Sequence, residues 1–350
     1  MKSKTLKAVA LVLVMMFAVA IVGCGGKKEP AASGDKASTE KQVTIHLGTT
    51  VSPDHSYSRA VAEMAKDVET KSNGSIKILY EGAGVHGGEA DEVQALQRGE
   101  LQMMVASDIA IASVIPELGF TQLPFLFKDQ ADVDARYRNG WMGQRMTEVC
   151  ATKGIQVLGF GENDWRGLTS GTRELKKGAD FKGMKLRVPT TPMYVDFYKK
   201  LGTLPTAMAI TEVATALQQK TVDGQDNGAI MTYTNGLNEF QKYMYNTRHM
   251  YSGALFIVSK TFFDSLSDNQ KQILTDAAKA AADKQYQYNH EDVSKFFEAM
   301  KAKGLQVEDP TPQLMADMKV QADAMMKDPQ YDKLYGKDVM DKIRTENGIK

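Results

Sequence analysis

The chain has 350 residues, with 43 basic against 43 acidic side chains and two cysteines. A formal net charge of zero argues against an electrostatic nucleic-acid binder, and 43% hydrophobic residues argue against a disordered chain. Two cysteines exclude a disulfide framework and a four-thiolate metal site, and the length suggests two domains of roughly 150 residues each.

Lys2, Lys4 and Lys7 precede a run over 8–22 with no charged or polar side chain. The run is short for a membrane span of about 20 residues and suits a secretory signal; a short uncleaved anchor is the alternative. It ends in Ile21-Val22-Gly23-Cys24, which resembles a bacterial lipobox. The expectation is a signal peptide over 1–23, lipidation of Cys24, and a mature chain about three charges to the acidic side. Residues 24–42, rich in Gly, Ala, Ser, Lys and Glu without apolar periodicity, read as a flexible tether. Cys150, in Met146-Thr147-Glu148-Val149-Cys150, reads as a small buried hydrophobe.

The body begins with an alternating strand over 43–47 and a helix from about Ser58, stopped by Asn73-Gly74. A strand over 76–80, a short helix over 89–98 and a strand over 101–106 complete a β-α-β-α-β order, the pattern of a helix-covered parallel sheet. A helix over 131–152, strands over 155–160, at Leu168 and over 184–188, and helices over 193–201 and 212–219 follow, the last capped by Thr211. Ser267 caps a helical stretch over 268–303 free of Gly and Pro; at 1.5 Å per residue it would run about 54 Å, enough to brace two lobes.

Gly82-Ala83-Gly84-Val85-His86-Gly87 fits the dinucleotide fingerprint, with Asp108 ending the next strand. It follows the second strand of the body rather than the first, and its helix is short, so the match carries little weight. No G-x-S-x-G elbow and no H-E-x-x-H occurs, and no cofactor is expected.

Three segments are more specific: Lys182-Gly183-Met184-Lys185-Leu186-Arg187-Val188-Pro189; Leu201-Gly202-Thr203-Leu204-Pro205 leading to Thr211-Glu212-Val213; and Val222-Asp223-Gly224-Gln225-Asp226-Asn227. Together with Leu123-Pro124-Phe125-Leu126-Phe127 and Gly87-Gly88-Glu89, they resemble the extracytoplasmic solute receptors of TRAP transporters, the DctP family, from Val43 to about Ala280. The resemblance implies a periplasmic-binding-protein-like α/β fold of two lobes on mainly parallel sheets, with hinge strands and the long helix across both. Lobe I would take 43–163 plus 250–290, and lobe II 164–249 plus 291–350.

It also implies a receptor that holds a small carboxylate (a dicarboxylate, keto acid or sugar acid) in the interdomain cleft and delivers it to membrane permease subunits. Arg187 would form a bidentate pair with the ligand carboxylate, as a guanidinium fork suits a planar anion. Arg166 matches a second ligand-facing arginine, or else pairs with a neighbouring carboxylate. Asn227 would donate its amide, Glu89 and Ser107 would meet the far end of the ligand, and Thr50 and His55 would face the cleft from the first loop. Trp165 would offer a ring face and Tyr233 a polar contact, whereas Tyr251 reads as core. Ile210 stands where many relatives carry an aromatic ring, and Asp226 replaces a commoner Glu. The expected protein is exported, lipid-anchored through Cys24, monomeric and not an enzyme; an exported lipoprotein enzyme working in the same cleft is the rival from another class.

Overall fold

Alternation along β1 (Val43–Gly48) buries Ile45 and Leu47 and leaves Thr44 exposed, so one face of the strand is fixed to a core from the start. The computed structural model describes residues 40–349; Cys24, the signal segment and most of the tether lie outside the described residues. The remaining strands are β2 (Ile76–Glu81), β3 (Met103–Ser107), β4 (Ile155–Trp165), β5 (Gly167–Ser170), β6 (Lys185–Val188), β7 (Leu204–Ala207), β8 (Gly224–Asn227), β9 (Tyr243–Tyr245), β10 (Tyr251–Ser259) and β11 (Gln306–Glu308).

They form two sheets, ordered β2-β1-β3-β10-β4 and β11-β9-β5-β8-β6-β7, and each with its helices makes one α/β lobe. Both sheets are mixed. The parallel pairings expected from the β-α-β order occur at β1–β2, β1–β3, β6–β7 and β6–β8, with β9–β11 added. The antiparallel pairings belong to β4, β5 and β10, which lie at the crossings between lobes. Three connections join the sheets: β4 runs through Arg166 into β5, residues 246–250 return the chain from β9 to β10, and a long helix leads from β10 to β11.

That helix, Asp268–Ala302, spans 35 residues and therefore about 52 Å. Ser267 caps it as expected, with Gln270 completing a capping box. It packs on the Ser56–Lys71 helix and β4 in the first lobe and on the Ala229–Thr234 helix and β11 in the second, the brace its length implied.

Several local expectations need correction. The first helix begins at Ser56 rather than Ser58, because the His55 Nδ1 accepts from the Tyr57 N–H at 3.2 Å and so acts as its cap. The helix expected over 131–152 breaks into Gln130–Val133, a π turn over Asp134–Arg138, and Trp141–Thr152. Gly140 sits at the break, where a Cβ would collide with the Ala135 carbonyl. The Ile210–Gln218 helix is capped not by Thr211 but by Glu212, whose carboxylate accepts from the Ala209 N–H at 3.0 Å. The strand expected over 155–160 continues to Trp165. Cys150 is buried and free, and burial pushes its thiol up to about 12. C-terminal helices Pro312–Lys327, Pro329–Tyr335 and Lys337–Glu346 touch both lobes: Asp317 accepts from the Gly178 N–H at 2.6 Å, and Glu346 from the Trp141 indole at 3.1 Å.

Candidate functional site

Between the lobes lies a cavity of about 330 Å³. Its second-lobe wall comes from β6 and β8. Along β6 the apolar Leu186 and Val188 turn into the core, which presents Arg187, only 4% exposed, to the cleft. Arg187 donates through Nε and Nη2 to the main-chain carbonyl of Met208, at 3.2 and 2.9 Å. No carboxylate among the described residues lies within ion-pair distance of it. Burial, and then the like charge of Arg166, push its pKa below the ordinary guanidinium value. A buried cation whose only partner is a neutral carbonyl is a standing demand for an anion.

Arg166 presents the opposite case. It sits between β4 and β5, pairs with the carboxylate of Asp226 and also donates to the Asp226 carbonyl. A further N–H reaches Asn227 Oδ1 at 3.1 Å. Burial alone would lower the Arg166 pKa, but the charge and hydrogen bond of Asp226, together with Tyr194 and Tyr198, more than reverse this. Burial alone would likewise raise Asp226, yet Arg166, His249 and Tyr198 around it together hold that carboxyl well below the usual range. The Tyr198 hydroxyl donates to Asp226 at 2.6 Å, the His249 Nε2 approaches it at 3.3 Å, and Thr247 meets the His249 Nδ1 at 2.7 Å. Arg166 and Asn227 both line the cavity. The alternative left open for Arg166, pairing with a neighbouring carboxylate, is the arrangement found. The Asn227 amide donates to Gln225 Oε1 at 2.6 Å, so this corner is a cross-linked polar block.

The first-lobe wall carries opposite chemistry. Glu89, at the start of the Glu89–Arg98 helix, accepts from the Ser107 N–H at 2.9 Å and the Ser107 hydroxyl at 2.8 Å. Burial raises the Glu89 pKa, the Ser107 donors oppose this, and a carboxylate with free acceptor capacity faces the cavity. Asp91 adds an acidic group on this side, while Glu212, on the Ile210–Gln218 helix, lines the cavity from the second lobe; both are exposed and accept from the N–H groups that cap their own helices, those of Gly88 and Ala209. Tyr57 also lines it, 1% exposed and with no partner for its hydroxyl.

Five of the residues singled out from sequence, Arg187, Arg166, Asn227, Glu89 and Ser107, therefore meet in one cavity, together with Ile210. Four others stand elsewhere. Thr50 is buried outside the lining, and its hydroxyl has no partner. His55 is fully buried as a helix cap, with its pKa pushed down to about 3 by burial and then by Arg59. Trp165 faces the other side of the hinge strands, where its indole donates to Gln130 at 2.8 Å. Tyr233 stacks on Phe296 at 4.7 Å, with the Lys303 ammonium over its ring. Tyr251 sits in an aromatic cluster with Tyr137, Phe127 and Trp165, the core role expected of it. Sequence reasoning passed over Tyr57, Asn163 and the Asp226–His249 pair. The position of Tyr57 in the first turn after the first loop was the one available signal; the pairing of Asp226 with His249 left none.

Two α/β lobes joined by strands, with an uncompensated guanidinium in the cleft, define a two-lobed receptor for a small anion. The family model "bacterial extracellular solute-binding protein, family 7" (DctP) matches residues 47–334, and the chain belongs to that family, whose members are extracytoplasmic binding proteins. It is 31% identical to a solute-binding protein of Verminephrobacter eiseniae, over 88% of this chain and 91% of that one. It is 28% identical to the 2,3-diketo-L-gulonate-binding periplasmic protein YiaO of Escherichia coli, over 75% and 80% of the two chains. Among solved structures it resembles the sugar acid binding protein DctPAm of Advenella mimigardefordensis in complex with galactonate. There the TM-score is 0.81 and the identity 28%, with 87% and 97% of the chains covered.

Proposed function

We propose that the protein captures a hydroxylated monocarboxylate, a sugar acid or a similar hydroxy acid, and presents it to the membrane subunits of a TRAP-type transporter. The observation that carries this reading is Arg187, a buried cation in the cavity between the lobes with no carboxylate within ion-pair distance among the described residues. The ligand carboxylate completes its ion pair. Across the cleft Glu89, with Asp91 near it in the lining, favours hydroxyl donors and opposes a second carboxylate, since like charges this close are costly. The relatives named for galactonate and 2,3-diketo-L-gulonate support the same class. The ligand is bound and released unchanged.

Lobe I, 43–163 plus 250–290, and lobe II, 164–249 plus 291–350, close on the ligand as a population shift driven by the tighter contacts of the closed state. The chain is exported, held at the membrane by acylated Cys24, and acts as a monomer.

The experiment is calorimetric titration of galactonate into the wild type and Arg187→Ala. Removing the guanidinium leaves a desolvated carboxylate unpaired, at about 2–5 kcal/mol in binding. Affinity near the wild-type value in that variant would overturn the assignment.

A further inference from the structure

Trp165, Arg166 and Gly167 alternate across the hinge strands: Arg166 faces the cleft, while Trp165 and Gly167 line a second cavity behind it. Asn227 and Gly228 divide in the same way. This hinge cavity has a volume of about 320 Å³, close to that of the cleft. All three connections between the sheets supply its walls, through Trp165 in the β4–β5 crossing, Arg248 in the β9–β10 crossing, and His290 and Phe297 on the long helix.

Its lining sets Arg248 and His290 beside Glu162 and Asp164. The Trp165 indole donates to Gln130 Oε1, which leaves the two Gln130 amide N–H groups as donors, with the Tyr286 hydroxyl beside them. Arg248, on a backbone of φ 45°, lays its guanidinium over the Trp165 ring at 4.4 Å. No carboxylate among the described residues pairs with Arg248. The nearby acids are already engaged. Glu162 is paired with His290 at 3.3 Å, and Asp164 accepts from the Ile230 N–H at 2.9 Å, with its pKa pushed up to about 7 by burial. Met244, Val293 and Phe297 make the rest of the lining apolar.

We propose that the hinge cavity is a second ligand site, for a small carboxylate with an aromatic or branched apolar body. The carboxylate meets Arg248 and Gln130 Nε2, and the body lies between Trp165 and Phe297. A guanidinium stacked on an indole keeps its outward N–H groups free for a carboxylate. The occupant also acts on the cleft. In this structure the lobes touch across the cleft, where the Thr191 hydroxyl donates to the Ile109 carbonyl at 3.1 Å. Parting the lobes at the front bends the three connections into the space behind, so a filled hinge cavity favours the closed arrangement. By linkage each ligand then tightens the other.

Benzoate is the probe, tested by thermal shift on the full protein. It raises the Tm of the wild type and of Arg187→Ala, and Arg248→Ala, an exposed substitution, removes the shift. With benzoate present, galactonate binds the wild type about fivefold more tightly. The proposal falls if benzoate produces no shift, or if the shift survives Arg248→Ala. A shift lost in Arg187→Ala would place benzoate in the cleft and also overturn it, as would galactonate affinity unchanged or weakened by benzoate. Galactonate binding without benzoate tests the cleft separately, so the two assignments fail independently.

Discussion

The two walls of the cleft are built by opposite means. The second-lobe wall holds two buried arginines beside the exposed Glu212, one satisfied and one not: Arg166 is locked to Asp226, whereas Arg187 rests on a carbonyl. The first-lobe wall is anionic and rich in acceptors, with Glu89 propped by Ser107 and an unpartnered Tyr57 hydroxyl beside it. In the proposed function, the ligand carboxylate meets Arg187 and its hydroxyl groups meet Glu89 across the cleft. On that reading neither lobe alone recognises the whole ligand.

The strongest way to break this comparison is to unlock the satisfied arginine. Asp226→Asn strips the counter-charge from a guanidinium that is 1% exposed, an expected loss of about 3–5 kcal/mol in stability. Denaturant unfolding measures it, and a loss below about 1 kcal/mol would mean that Arg166 does not depend on Asp226. Because the Asp226 pKa is held below that of an unfolded chain, its contribution is complete above about pH 4. It fades only as the pH falls through the depressed folded value, so the gap between wild type and variant closes in strong acid.

Glu89→Gln sharpens the comparison on the other wall. A neutral amide keeps the shape, accepts less well and no longer repels a second carboxylate. Galactonate affinity should fall by about 1.5–3 kcal/mol while succinate gains, as parallel titrations would show. Succinate binding unchanged by this variant would remove Glu89 from the discrimination.

Behind the same wall, one turn along the helix, Glu92 is fully buried and neither carboxylate oxygen has a partner. Burial, then the charges of Glu89 and Asp91, push its pKa up to about 8. A carboxyl raised in the folded state favours folding fully below its unfolded pKa, near 4.5, and loses that contribution as pH rises through about 8. Glu92→Gln should match the wild-type Tm near pH 4.5 and exceed it by several degrees at pH 8.5. Parallel melting curves across that range would contradict the account.

Tyr57→Phe is the smallest change, worth about 0.5–1.5 kcal/mol in galactonate affinity if the hydroxyl meets the ligand. Equal affinity would leave Tyr57 as a wall and no more.

What the sequence revealed and what it hid follow from the range of the forces involved. The long helix was legible because capping by Ser267 and the lack of Gly and Pro are local properties, and so were the strand period at β1 and the fixed order of motifs around Arg187. The break at Gly140 was not, because it depends on how closely two turns approach. Arg166, Asp226, His249 and Thr247 lie up to 83 positions apart along the chain, and the return of β9 toward β5 brings them together. Trp165 and Arg166 are neighbours in sequence yet face different cavities, a split set by the pleat of a strand whose full extent the apolar pattern understated.

The most direct test is a paired titration of galactonate and succinate into the purified protein. The account predicts that galactonate binds and that succinate, with a charge at both ends, binds at least tenfold more weakly, a gap of about 1.4 kcal/mol. Succinate binding as tightly as galactonate would contradict the division of the cleft into one cationic and one anionic wall.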